Sequence, residues 1–225
     1  MKKNIISMFV LTAMMLSSAV TVNATGMVDF VPKDPTNYVS QLDYLPAREE
    51  NVEMYMTRSS SVYIDVNVVM DEEWRAQTNA STLAKNAIED ADDYLWSEFG
   101  INFYHYEYES WDSDDDNTDT ELLNEAIDEH GWNGNDYMMA FTGQDGNEAG
   151  GWGKVGQAYC LVIDQNATAN KKVARHEIGH TYGLSHCSEN CLMNSTATFY
   201  SYYDELCDAH YDEWASNWDE YGTVQ

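Results

Sequence analysis

The sequence predicts an α/β domain in which helices pack on a β-sheet. Apolar residues alternate with polar ones from Val62 to Val68, the period of a strand. From Leu83 to Leu95 they recur every three or four residues, the period of a helix. Such segments then follow one another as strand, helix, strand, helix, strand, strand, helix, the order of a sheet covered by helices.

The elements can be justified in turn. The first strand carries Val62, Ile64, Val66 and Val68 on one face. The helix after it buries Leu83, Ala87, Ile88, Ala91 and Leu95, with Thr78 or Asn79 as its cap and Gly100 as its end. Ile101 to Trp111, aromatic and alternating, predicts a second strand, and Asp112 to Asp119 a polar loop. A short helix is expected from Glu121 to Glu129 and a third strand from Tyr137 to Phe141. A glycine-rich loop, Gly143 to Gly156, precedes a fourth strand at Ala158 to Ile163. A helix then starts near Lys171, and a last one runs from Tyr203 to Trp214.

Residues 1–24 are set aside as a signal peptide. Lys2 and Lys3 precede an apolar stretch from Ile5 to Leu16, and Val22-Asn23-Ala24 offers the small residues that signal peptidases cut after. That stretch is short for a membrane span, although an uncleaved anchor is the alternative reading. Residues 25–60 hold all three prolines (Pro32, Pro35, Pro46) and little periodicity, so they read as an extension or short propeptide. Residues 61–225 are then the catalytic domain, large enough to bury a core. Export is expected, and the Met-Lys-Lys opening suggests a bacterium. Beyond residue 24 there are nine basic against 39 acidic residues, a formal charge of −30. Such a charge repels nucleic acid and anionic lipid, which excludes both as partners. A monomer acting on protein or peptide is expected.

The chemistry is concentrated in residues 176–186, His-Glu-Ile-Gly-His-Thr-Tyr-Gly-Leu-Ser-His. Four residues apart on a helix, His176 and His180 project from one face and can share one Zn²⁺. Glu177 stands next to them, placed to take a proton from a water that zinc has acidified. Gly183 lets the chain turn back through the left-handed region, so that His186 can supply a third nitrogen. Three protein ligands leave a fourth position open, as in catalytic rather than structural zinc sites.

His-Glu-x-x-His-x-x-Gly-x-x-His resembles the motif of the metzincin clan of zinc endopeptidases. The resemblance implies a mixed twisted sheet with helices packed above an active-site helix, and a small C-terminal subdomain beginning at Gly183. It implies a methionine turn under the metal, for which Met193 is the candidate. It also implies that the strand Ala158 to Ile163, or its neighbour, lines the cleft and holds peptide by strand addition. Ser195 stands where some metzincins have a zinc-reaching tyrosine, so that ligand is not expected, with Tyr200 a weak substitute. No cysteine precedes Cys160, so any latency from residues 25–60 would need a carboxylate such as Asp29 or Asp43.

Cys160, Cys187, Cys191 and Cys207 all lie in the last third of the chain. Oxidising conditions outside the cell favour two disulfides, and sequence leaves the pairing open. The expected pairing is Cys187 with Cys191 and Cys160 with Cys207, bonds of a sort that reprolysin-like metzincins have. The alternative is a second Zn²⁺ on Cys187, Cys191, Cys207 and His210, resembling the structural zinc site of archaemetzincins. Asp112, Asp114, Asp116 and Asp119 could bind Ca²⁺, but they lack the glycine and glutamate of an EF-hand loop and read rather as a solvated acidic loop.

The expected activity is hydrolysis of peptide bonds by a zinc-activated water with Glu177 as general base. The alternatives are a zinc amidase acting on cell-wall peptide and a catalytically silent, zinc-stabilised binding protein.

Overall fold

The computed structural model describes the backbone of residues 27–29 and, in full, residues 60–144, 149–195 and 203–225. The signal-peptide stretch, most of the extension with Asp43, and Tyr200 lie outside the described residues.

The fold is a mixed α/β sheet with helices on both faces. Seven strands are present: β1 (Met27–Asp29), β2 (Val62–Met70), β3 (Ile101–Ser110), β4 (Tyr137–Thr142), β5 (Gly151–Lys154), β6 (Tyr159–Ile163) and β7 (Thr223–Val224). Their order is β1-β5-β6-β4-β2-β3, with β7 paired to β2. β3, β2, β4 and β6 run parallel, whereas β5 is antiparallel to β6 and β1 antiparallel to β5. The five described helices are α1 (Glu72–Arg75), α2 (Ala80–Phe99), α3 (Asp119–Glu129), α4 (Ala167–Thr181) and α5 (Asp208–Ser216).

Alternation along the parallel strands sends side chains to two apolar layers. Ile64, Val66, Val68, Met139, Phe141 and Val162 join the layer of α2, α4 and α5. Val69, Met138, Ala140, Leu161 and Ile163 join that of α3, beside Leu122, Leu123 and Ala126. α2 turns Ala84, Ala87, Ile88, Ala91, Leu95 and Phe99 into the first layer and ends at Gly100, whose φ of 68° is left-handed. Its first cap position is Asn79, also left-handed at φ 64°, and the side chain makes no capping bond. α3 is fixed at its start by Glu121, which accepts hydrogen bonds from the Thr118 N–H (2.9 Å) and hydroxyl (2.6 Å).

Several boundaries differ from the sequence expectation. α4 begins at Ala167, not near Lys171, because the Asn166 side chain accepts from the N–H groups of Thr168 and Ala169. The last helix starts at Asp208 rather than Tyr203. Its preceding backbone is committed elsewhere: the Glu205 carbonyl accepts from Leu192 N–H at 2.7 Å, and Cys207 N–H points to Cys191 Sγ at 3.2 Å. The glycine-rich loop contains an unforeseen strand, β5. No described helix is long and apolar enough to cross a membrane.

Candidate metal centre

α4 carries His176, Glu177 and His180, all fully buried. The helix stops at Gly183, whose φ of 96° is left-handed, and whose N–H bonds the His180 carbonyl at 2.9 Å. The chain then brings His186 back to the helix. The three Nε2 atoms stand 3.0–3.1 Å from one another, all aimed at one point. Nitrogens that close together fit joint ligation of one zinc, for which N–metal distances are about 2.0–2.1 Å.

The outer ring nitrogens explain why the Nε2 atoms face that point. His176 Nδ1 lies 2.7 Å from the Leu192 carbonyl oxygen, and His180 Nδ1 lies 2.7 Å from that of Leu184. Donation from Nδ1–H fixes the tautomer and leaves Nε2 with its lone pair free to ligate. Burial, reinforced by the neighbouring imidazoles, holds His176 well below the usual histidine range. Burial likewise brings His180 down to about 3 and His186 to about 4. All three are therefore neutral at pH 7, the form that binds metal.

β5 flanks this helix closely. A Cβ at Gly151 would lie 2.6 Å from Val173 Cγ1 and 2.9 Å from Glu177 Cγ. At Gly153 it would lie 2.6 Å from the Glu177 carbonyl oxygen, 2.7 Å from His180 Cβ and 3.2 Å from Glu177 Oε2. Glycine at these alternate positions lets the strand press against the catalytic turn of α4. Sequence reading missed β5 because Gly-Trp-Gly-Lys has no β-branched alternation. The glycine spacing was the available signal. The neighbour of the fourth predicted strand thus flanks the cleft, which is one of the two options that the motif implied.

Met193 is fully buried beneath α4, where Gly179 leaves room for its sulfur: a Cβ there would come within 2.6 Å of Sδ. The residue before it, Leu192, supplies the carbonyl that orients His176.

The expected disulfides are not formed; all four cysteines are free. Cys160 sits on β6, fully buried in the sheet's interior and receiving the Tyr137 hydroxyl at 3.5 Å, so it cannot reach Cys207. Burial pushes its thiol up. Cys187, Cys191 and Cys207 instead gather with His210, their ligand atoms within 4.8 Å of one another. His210 Nδ1 is 3.3 Å from Cys191 Sγ and 3.3 Å from Cys207 Sγ. Three thiols and an imidazole fit the closed donor set of a structural zinc.

The acidic loop does not converge. Asp114 takes the Asp116 N–H, Asp119 takes the Ala149 N–H, and none of the four aspartates belongs to a group of converging ligands among the described residues.

Fold and site together define a zinc metallopeptidase of metzincin type. Residues 60–214 match the model of Metallo-peptidase family M12 (Reprolysin_5), and the chain belongs to that family. At that level it is a zinc-dependent peptidase. No curated protein matches it significantly. Among solved structures, archaemetzincin from Methanopyrus kandleri superposes with a TM-score of 0.54 at 14% identity, over 69% of this chain and 95% of that one. Metalloproteinase-II from Bacteroides fragilis gives 0.51 at 11% identity, over 69% of this chain and 53% of the other. At such identities the likeness is one of fold.

Proposed function

We propose that the chain is an exported zinc endopeptidase in which Glu177 is the general base. The observation that carries this reading is the convergence of three neutral imidazoles, their Nε2 atoms 3.0–3.1 Å apart, beside a flanking strand that abuts Glu177. Zinc held there by His176, His180 and His186 would supply Lewis acidity and lower the pKa of water.

Glu177 then has two tasks. It takes the proton from the attacking water, and it returns that proton to the leaving amine as the peptide bond opens. His176 and His180 keep their ligating nitrogens oriented through Leu192 and Leu184. An extended substrate lies along β5, its backbone held by strand addition. An apolar stretch behind Lys2 and Lys3 supports export. Zinc on Cys187, Cys191, Cys207 and His210 would protect thiols that an exported chain could not otherwise keep reduced.

The test is zinc content together with cleavage of casein and a peptide library, for wild type and Glu177→Ala. Two zinc per chain in both proteins, with cleavage lost by at least about 10³-fold only in the variant, is the expected result. A wild type that binds zinc and cleaves cell-wall peptide but no protein would turn the reading to an amidase. Cleavage undiminished in Glu177→Ala would remove that residue from the mechanism.

A further inference from the structure

We infer that the chain supplies its own occupant for the peptide-binding edge of β5: the segment Met27–Asp29 pairs there and holds the N-terminal extension across the cleft as an autoinhibitory strand. The inference rests on the reading of β5 as the edge that receives substrate.

β5 has two sides. On one it pairs antiparallel with β6, through Gly151 with Val162, Trp152 with Leu161 and Gly153 with Cys160. Its other side would be the open end of the sheet, a row of unpaired N–H and C=O groups ready to accept any extended chain. That side is taken by β1, antiparallel, in the register Met27 with Lys154, Val28 with Gly153 and Asp29 with Trp152. The middle pair falls at Gly153, the residue packed on the Glu177 carbonyl and His180 Cβ. The backbone of β1 is therefore one strand spacing, about 4.8 Å, beyond the strand that abuts the catalytic turn. A substrate peptide adding to β5 needs the same backbone groups, so the two occupants exclude each other.

Covalent connection makes a short pairing effective. Thirty residues separate Asp29 from Ser60, and a chain of that length can extend to roughly 100 Å, so it spans to the first residue of the folded domain without strain. Tethering gives a segment a local concentration in the millimolar range, enough for a weak strand to compete with dilute substrate. Asp29 lies within this strand, whereas nothing is needed from a cysteine, consistent with the absence of any cysteine before Cys160.

Proline lacks the N–H that a ladder needs, and adjacent residues of a strand direct their N–H groups to opposite sides. Met27→Pro together with Val28→Pro therefore removes the donor toward β5 whichever of the two carries it, and leaves Asp29 intact. In chains beginning at Thr25 and carrying Glu177→Gln to prevent self-cleavage, hydrogen exchange at Trp152, Gly153 and Lys154 is compared with and without the prolines. Exchange on the β1 side is expected to accelerate about tenfold or more in the double variant. In chains that retain Glu177, peptide KM should fall about 3- to 10-fold with kcat unchanged, as for removal of a tethered competitor. Unchanged exchange and unchanged KM would overturn the inference. Faster exchange with no cleavage of any peptide by either chain would uphold the pairing and overturn the peptidase reading instead.

Discussion

His176 Nδ1 donates to the carbonyl of Leu192 across 2.7 Å, and this single bond joins the catalytic helix to the cysteine-bearing loop. Leu192 follows Cys191, whose Sγ accepts the N–H groups of Met193 (3.4 Å) and Cys207 (3.2 Å). Cys187 follows the third catalytic histidine directly. The cysteine cluster thus sets the backbone that aims two of the three catalytic ligands.

Removing a ligand of that cluster should therefore damage both sites. For His210→Ala or Cys207→Ser, zinc content is expected to fall from two to one per chain, and catalytic zinc affinity to drop about 10- to 100-fold, as when the supports of metal ligands are lost. Metal analysis and chelator competition measure both. Full retention of two zinc ions, or an unchanged catalytic affinity, would contradict the coupling.

Gly179 and Met193 form a tight contact under the metal ligands. An added Cβ at Gly179 would meet Met193 Sδ at 2.6 Å and Trp214 Cζ3 at 3.3 Å, inside a packed core. Gly179→Ala is expected to destabilise by about 1–3 kcal/mol. In Met193→Ala, the space vacated by the thioether should absorb the extra methyl. The two substitutions together should then cost less than the sum of their separate effects, with a coupling of at least about 0.5 kcal/mol in denaturant unfolding. Strict additivity would show that the contact is not limiting.

Much of this arrangement was legible in the chain, because it depends on local periodicity. The ligand spacing of His176, His180 and His186, the turn at Gly183 and the core strand from Val62 all follow from the geometry of one helix or one strand. What escaped depends on partners distant in sequence. β5 is a strand because β6 and α4 hold it there, and Gly-Trp-Gly shows no intrinsic strand preference. The preference for disulfides came from the redox compartment, which says nothing of where Cys160 faces. Its burial on β6, opposite Tyr137, removed it from the other three. The last helix was extended too far because the Glu205 carbonyl, which accepts from Leu192, is committed to the methionine segment in a way no local pattern reveals.

Gly153→Ala should act on chemistry through position. Its Cβ would stand 2.6 Å from the Glu177 carbonyl oxygen and 2.7 Å from His180 Cβ, so either β5 or α4 must move by several tenths of an ångström. A displacement of that size at the base and a ligand is expected to lower kcat about 10- to 100-fold while zinc remains bound. Steady-state kinetics with parallel metal analysis would decide it. Unaltered kcat would show that β5 yields without disturbing Glu177.

Asp92 gives the fold a distinct pH signature, away from the metal. Its carboxylate accepts the Phe103 N–H at 2.7 Å, and it is nearly buried at 9% exposure. Burial, against that hydrogen bond and with help from Glu89 and Asp93, raises its pKa from 3.8 to about 7. The sign follows from linkage: between pH 4 and 7 the folded chain holds a proton here that the unfolded chain has released, so stability falls as pH rises through that window. Asp92→Asn keeps an oxygen acceptor for Phe103 and carries no titrating proton. The stability difference, wild type minus Asn variant, is expected to decline by on the order of 2–4 kcal/mol from pH 4 to pH 7.5 and then level off. Urea unfolding of both proteins across that range measures it, and metal loss at low pH, common to both, cancels in the difference. A difference that stays flat, or rises with pH, would mean that Asp92 is ionised in the folded chain throughout.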